Sequence, residues 1–273
     1  MKMKNIKSTL KSLPFIRNYL AGKKLLNDPN FQREYSAGEK LLNDPNFQEG
    51  QEKCYAEILK TPKRTEIINF LLSNRNDETR YLEIGVRNPD DNYNHIIADE
   101  KYSVDPGYEY EENPVDFKVT SDEFFELLSN NKILSPDIQF DVIFIDGLHL
   151  AEQVDRDIIN SMRFVKSDGF VVLHDCNPPT EWNARDNYNY LSTPAGGNWN
   201  GTTWKAFLKW RFNPSVNSCC IDSDWGVGIL SKEHPIGSCI REVNQFYEFR
   251  NLVEHKETYL NLISFDDFKK LLV

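Results

Sequence analysis

The chain has 273 residues, with 42 Asp and Glu against 32 Lys and Arg, a formal net charge of -10 and five cysteines. That acidic surplus excludes the broad basic surface that neutralises nucleic-acid phosphates, and no apolar run approaches the roughly 18 residues a membrane span needs. Cys54, Cys176, Cys219, Cys220 and Cys239 form an odd set without C-x-x-C spacing, so neither a disulfide framework nor a thiolate zinc site is indicated and a reducing cytoplasm is the expected setting.

Residues 1–20 place Lys2, Lys4, Lys7, Lys11 and Arg17 among Ile6, Leu10, Leu13, Phe15, Ile16 and Leu20. The pattern fits contact with anionic lipid or, since Pro14 interrupts it, a helix packed on its own domain or on a partner subunit. Ala21–Gln32 (AGKKLLNDPNFQ) recurs at Ala37–Gln48 (AGEKLLNDPNFQ) with a period of sixteen residues, differing only at Lys23 and Glu39. Two copies do not make a solenoid. They read as two helix-and-turn units, each broken at Asn-Asp-Pro because the residue before proline avoids the helical region. This helical arm, residues 1–60, carries no evident chemistry, and homo-oligomer contact is its expected role.

Glu52–Ser73 is apolar at helical spacing, with Thr61-Pro62 as the break between two helices. Tyr81–Val86 (YLEIGV) reads as the first core strand and leads into a polar loop, 87–94. Tyr102–Val104 is a short second strand ending at Asp105-Pro106-Gly107, and Asp116–Val119 a third. Thr120 or Ser121 caps a helix whose apolar face is Phe124, Phe125, Leu127 and Leu128. Val142–Ile145 is apolar on both faces, as buried parallel strands are, and stops at Asp146-Gly147. Ala151, Val154, Ile158, Met162 and Val165 follow on one helical face. Phe170–Leu173 is the next strand and stops at His174-Asp175. A right-handed crossover makes these two strands parallel, so Asp146 and Asp175 share one sheet edge, where open α/β sheets bind ligands.

Pro178–Gly201, rich in Asn, Tyr, Pro and Gly, is a lid or binding loop. Trp204, Phe207, Leu208 and Phe212 share a helical face. Val216–Ile221 and Val227–Leu230 form a closing antiparallel pair, and 236–273 reads as a helical or irregular extension packed on the domain. The expected fold is α/β: a Rossmann-like, doubly wound, seven-stranded and mostly parallel sheet with an antiparallel final strand, over residues 61–235.

Tyr81–Val86 (YLEIGV), Ser103–Pro106 (SVDP), Thr120–Phe125 (TSDEFF), Phe140–His149 (FDVIFIDGLH), Gly169–Pro178 (GFVVLHDCNP) and Gly201–Lys205 (GTTWK) together resemble class I S-adenosylmethionine-dependent methyltransferases, more narrowly the sugar or capsule-cluster and macrocin-type O-methyltransferase branch. The resemblance implies that Glu83 and Gly85 hold the methionine part of S-adenosylmethionine, that Asp105 bonds the ribose hydroxyls and that Ser121 and Asp122 lie near the adenine. It further implies that Asp146 touches the cofactor and, with Asp175, binds magnesium or another divalent cation, while His149 takes a proton from a small-molecule or glycan acceptor. His174 stands where family members can carry another acid, which leaves open a weaker magnesium site with His174 as a ligand, a different divalent metal, or none.

The activity so implied is methyl transfer to a hydroxyl of a saccharide or sugar-containing small molecule. Two other readings stand beside it. One is a catalytically degenerate fold serving assembly or binding through the arm; the other is metal-dependent hydrolysis using Asp146, His149, His174 and Asp175.

Overall fold

The structure, a computed structural model, describes residues 14–110, 112–242, 244 and 246–272. The basic residues before Pro14 therefore lie outside the described residues. The chain divides into two compact units, Met1–Gln51 and Glu52–Val273.

The first unit holds α1 (Pro14–Leu26), α2 (Pro29–Leu42) and the start of α3 (Pro45–Leu59). The duplication is visible in its hydrogen bonds. Asp28 accepts from Asn30 N and Phe31 N, and Asp44 accepts from Asn46 N and Phe47 N. Each proline sits at the first helical position, where its missing N–H costs nothing. Asn27 and Asn43 bond back to Lys23 O and Glu39 O, so the two turns are built alike.

In the second unit α4 (Arg64–Ser73) precedes β1 (Arg80–Ile84) and β2 (Glu100–Val104). Then come α5 (Ser121–Ser129), β3 (Phe140–Ile145), α6 (Ala151–Phe164), β4 (Val165–Leu173), α7 (Thr203–Trp210), β5 (Asn217–Ile221), β6 (Val227–Ser231), α8 (Phe249–Leu260), β7 (Leu262–Ile263) and α9 (Phe265–Leu271). The sheet order is β2-β1-β3-β4-β6-β5-β7, with β6 antiparallel to both neighbours and every other pairing parallel. Strand alternation sends Leu82, Ile143, Ile145, Val171 and Leu173 to one core, which α5, α6, α7 and α8 cover. Tyr81, Val142, Phe144, Phe170 and Val172 point to the other, which α4 and α9 cover. Side chains such as Phe124 and Phe144, wholly buried, each contribute about 1.5–3 kcal/mol by leaving water.

The Rossmann-like expectation holds in class and strand number, but two elements differ. The strand expected at 116–119 is a single bridge between Val104 and Phe117. Asp116 Oδ2 accepts from Ser103 N and Ser103 Oγ at 2.9 and 2.7 Å, so a side chain takes the place of a ladder bond. The seventh strand comes instead from 236–273: β7 pairs with β5, which makes that segment part of the sheet rather than a packed-on extension. Thr120, not Ser121, is the cap of α5, accepting from Glu123 N.

Candidate active site

The carboxyl ends of β1 to β4 surround a cavity of about 540 Å³. Glu83, Gly85, Asp105, Ser121, Asp146, His149, His174 and Asp175 all line it. Asp122 does not. It follows Ser121 by one helical step, so its side chain turns outward and pairs with Arg156 at 3.3 Å. Inside the cavity its place is taken by Asp157 and Gln153 of α6, joined at 3.0 Å, with Gln153 also donating to Ser121 Oγ. Burial pushes the Asp157 carboxyl up to about 6.

Gly85 has φ +91, and a Cβ there would overlap Gly147 Cα and the Asp146 carbonyl, so the β1 and β3 loops can touch only through glycine. Glu83 is buried, and its Oε2 accepts from Tyr81 Oη at 2.6 Å and Asn92 Nδ2 at 2.9 Å. Burial, against those two bonds, raises its carboxyl to about 7. Asp105 spends Oδ1 on Gly107 N at 2.6 Å, so the aspartate that shapes its own turn also faces the cavity.

At the β3 and β4 ends the charges converge. His149 Nδ1 donates to Trp199 O at 2.8 Å, since a carbonyl can only accept, which leaves Nε2 to exchange a proton, 3.4 Å from Asp146 Oδ1. Its ring stacks on Trp199 at 5.3 Å, and Thr202 N donates to His149 O at 2.8 Å. His174 Nδ1 lies 3.2 Å from both Asp146 and Asp175. Burial works against charge on both imidazoles, but the neighbouring carboxylates prevail: His149 is raised to about 9 and His174 well above the usual histidine range. Asp146 is held far below the usual carboxylate range although burial opposes this, because His174, His149 and Arg64 surround it.

Arg64 and Asp224 had no sequence motif to mark them. Arg64, at the start of α4, brings Nε to 3.7 Å from Asp146 and Nη1 to 3.2 Å from Asp224. Asp224 sits in the β5–β6 turn, where it and Trp225 are left-handed at φ 46 and 65, as Asp175 is at φ 62. Three non-glycine residues in that region within one site indicate strain held by the surroundings. Asn200 Nδ2 donates to Asp175 Oδ1 at 2.8 Å, and Asn177 N to Trp225 O at 2.8 Å.

These donors suit a divalent ion. Asp146, His149 and Asp175 each offer an atom within 4.8 Å of the others. Arg64, His149 and His174 face Asp146, Asp175 and Asp224, so a divalent ion could take the place of the His149 proton. Two carboxylates with substrate oxygens suit magnesium; an added imidazole suits softer divalent metals.

The sheet is a Rossmann-like one, with a glycine loop after β1 and acids at the ends of β2, β3 and β4. A family model described as "Methyltransferase domain" matches residues 49–176, a little under half of the chain. No curated protein matches the sequence. Among solved structures the chain is similar to the MycE methyltransferase from the mycinamycin biosynthetic pathway, in complex with Mg, S-adenosylhomocysteine and mycinamycin VI, at 16% identity over 78% of this chain, with a TM-score of 0.41. It spans 60% of the MycE chain's length. It is also similar to an O-methyltransferase from Bacillus cereus in complex with S-adenosylhomocysteine (13% identity, 69% of this chain and 90% of that one, TM-score 0.40). The third is the Podospora anserina methyltransferase PaMTH1 bound to S-adenosylhomocysteine (16% identity, 76% and 97%, TM-score 0.40).

Proposed function

We propose that this protein transfers a methyl group from S-adenosylmethionine to a hydroxyl of a saccharide or sugar-containing small molecule, with Asp146 and Asp175 holding a divalent cation and His149 as general base. The observation that carries the reading is the meeting of the His149 imidazole with Asp146 at Nε2 and Asp175 at Nδ1, at one wall of the cavity lined by Glu83, Gly85 and Asp105. Glu83 faces the ammonium of the methionine part, Asp105 the ribose hydroxyls, and Asp157 with Gln153 the adenine. These groups hold the sulfonium methyl in line with the acceptor oxygen, which is most of what a direct displacement needs.

A sugar hydroxyl is a poor nucleophile until its proton leaves. His149 Nε2, once freed of the proton that Asp175 and Asp146 favour on it, takes the hydroxyl proton as the O–C bond forms and the C–S bond breaks, giving a methyl ether and S-adenosylhomocysteine. A divalent cation, when bound, supplies the Lewis acidity that lowers the hydroxyl's pKa. The loop 178–201 supplies Tyr188, Asn198, Trp199 and Asn200 to the same cavity and keeps water out. Isothermal titration with S-adenosylhomocysteine, with and without Mg²⁺ or Mn²⁺, tests the reading: binding supports it, and no binding with either ion present would sink it.

A further inference from the structure

A second cavity, of about 520 Å³, shares no lining residue with the first. Its walls include Trp182, Tyr190, Trp204 and Tyr247, with the acids Glu181 and Asp186 and the amine of Lys205. Trp182 and Tyr190 are 51% and 62% exposed, so two large aromatic faces meet solvent. Trp204 is itself 1% exposed, and its Nε1–H is buried without an acceptor. Arg185, between the two acids, spends its guanidinium on the backbone carbonyls of Asn187, Gly196 and Asn198. Among the described residues neither Glu181 nor Asp186 has a salt bridge.

These groups select a chemistry. Two acids against the Lys205 amine and the Arg185 guanidinium leave the lining without net charge, so it favours neither an anion nor a cation. The acids would also be desolvated at a cost by a purely apolar ligand. An uncharged polyhydroxylated ring suits these groups: its C–H face lies on an aromatic plane, its hydroxyls donate to the acids, and its oxygens accept from Lys205. We propose that this cavity is a saccharide-binding subsite, which holds a sugar unit of the acceptor away from the hydroxyl that is methylated. The role as an acceptor subsite rests on the function proposed above; the binding of sugar does not.

The two cavities are joined through one loop. Trp199 Nε1 donates to Arg185 O at 2.7 Å, and Trp199 stacks on His149. A sugar lodged against Trp182 and Arg185 thus braces the segment that carries the partner of the proposed base.

The test uses the full chain with S-adenosylhomocysteine added and three neutral probes: maltotriose, cellotriose and N-acetylchitotriose. Saturation-transfer NMR and calorimetry should show at least one of them binding, with affinity lowered about tenfold or more by Trp182→Ala and by Tyr190→Ala. Both side chains are exposed, and an unchanged affinity for S-adenosylhomocysteine in each variant checks that the fold is intact. Binding of none of the trisaccharides, tighter binding of adenosine than of any of them, or binding that both substitutions leave unaltered would overturn the subsite. Failure of the methyltransferase reading looks different: the nucleoside does not bind, while a trisaccharide still engages Trp182.

Discussion

Arg64 Nη1 stands 3.0 Å from His174 Nε2, and both groups reach the same carboxylate oxygen, Asp224 Oδ2, at 3.2 and 3.5 Å. Arg64 also bonds Asp224 through its backbone N–H, at 2.9 Å, so one acid ties the start of α4 to the β5–β6 turn. Removing the guanidinium leaves Asp224 and Asp146 short of a cation inside the protein. Arg64→Met should cost about 2–3 kcal/mol in urea unfolding, the low end for a broken buried pair because the side chain is 21% exposed. Adding Asp224→Asn should recover part of that loss. A double variant as unstable as the sum of the two single variants would show that the pair is not coupled.

His149→Ala removes the only imidazole whose Nδ1 is held by Trp199 O and whose Nε2 faces the cavity acids. Methyl transfer should fall by about 10²–10⁴-fold, with affinity for S-adenosylhomocysteine nearly intact. Radiolabel transfer and calorimetry on the same preparation separate the two effects. Turnover equal to that of the unaltered protein would remove His149 from the mechanism.

Glu83 gives a pH dependence whose sign is fixed by burial. Its carboxyl titrates near 7 in the folded protein and near 4.5 when unfolded. Between those values the folded chain keeps a proton that the unfolded chain has lost, so this contribution is fully present below about 4.5 and is lost as pH rises through 7. The loss amounts to about 3 kcal/mol. Glu83→Gln should flatten this part of the stability profile in thermal melts at pH 5 and pH 8. Cofactor affinity runs the other way, because the ligand's ammonium favours ionised Glu83 and binding should tighten as pH approaches 7.

Gly85→Ala places a methyl where Gly147 and the Asp146 carbonyl already lie, at a backbone angle that L residues avoid. The β1 and β3 loops must part, so the variant should lose S-adenosylhomocysteine binding by at least tenfold and melt at a lower temperature. Gly22→Ala, in α1 with open space around its Cα, is the control: it should leave S-adenosylhomocysteine binding unchanged and should not lower the melting temperature.

Divalent metal is expected to bind with proton release. His149 holds its proton up to about 9, so displacing it at neutral pH should make the calorimetric heat depend on the buffer's ionisation enthalpy. Asp175→Asn should abolish the signal, and chelation should slow methyl transfer. If neither Mg²⁺ nor Mn²⁺ gives a heat change, the cluster is balanced by protons alone.

The sheet was largely legible because buried parallel strands are short, β-branched and apolar on both faces, as at Val142–Ile145 and Phe170–Leu173. The strand at 116–119 misled because its residues suit a strand, while Asp116 bonds Ser103 from its side chain and leaves a single bridge. β7 was hidden for the opposite reason: two residues carry too little pattern to announce a strand. The ends of β3 and β4 announced Asp146, His149 and Asp175, because acids that stop apolar strands stand out locally.

What the amino-acid order determined by itself was therefore the alternation of strand and helix, the tandem turns of the arm and the acids at the strand ends, all set by neighbours within a few residues. Tertiary structure alone decided that Arg64 and Asp224, 160 positions apart, meet over His174. It also turned Asp122 to solvent and put Asp157 in the cavity. The reason is that charge pairing and burial depend on which surfaces the fold brings together, and no local periodicity encodes that distance.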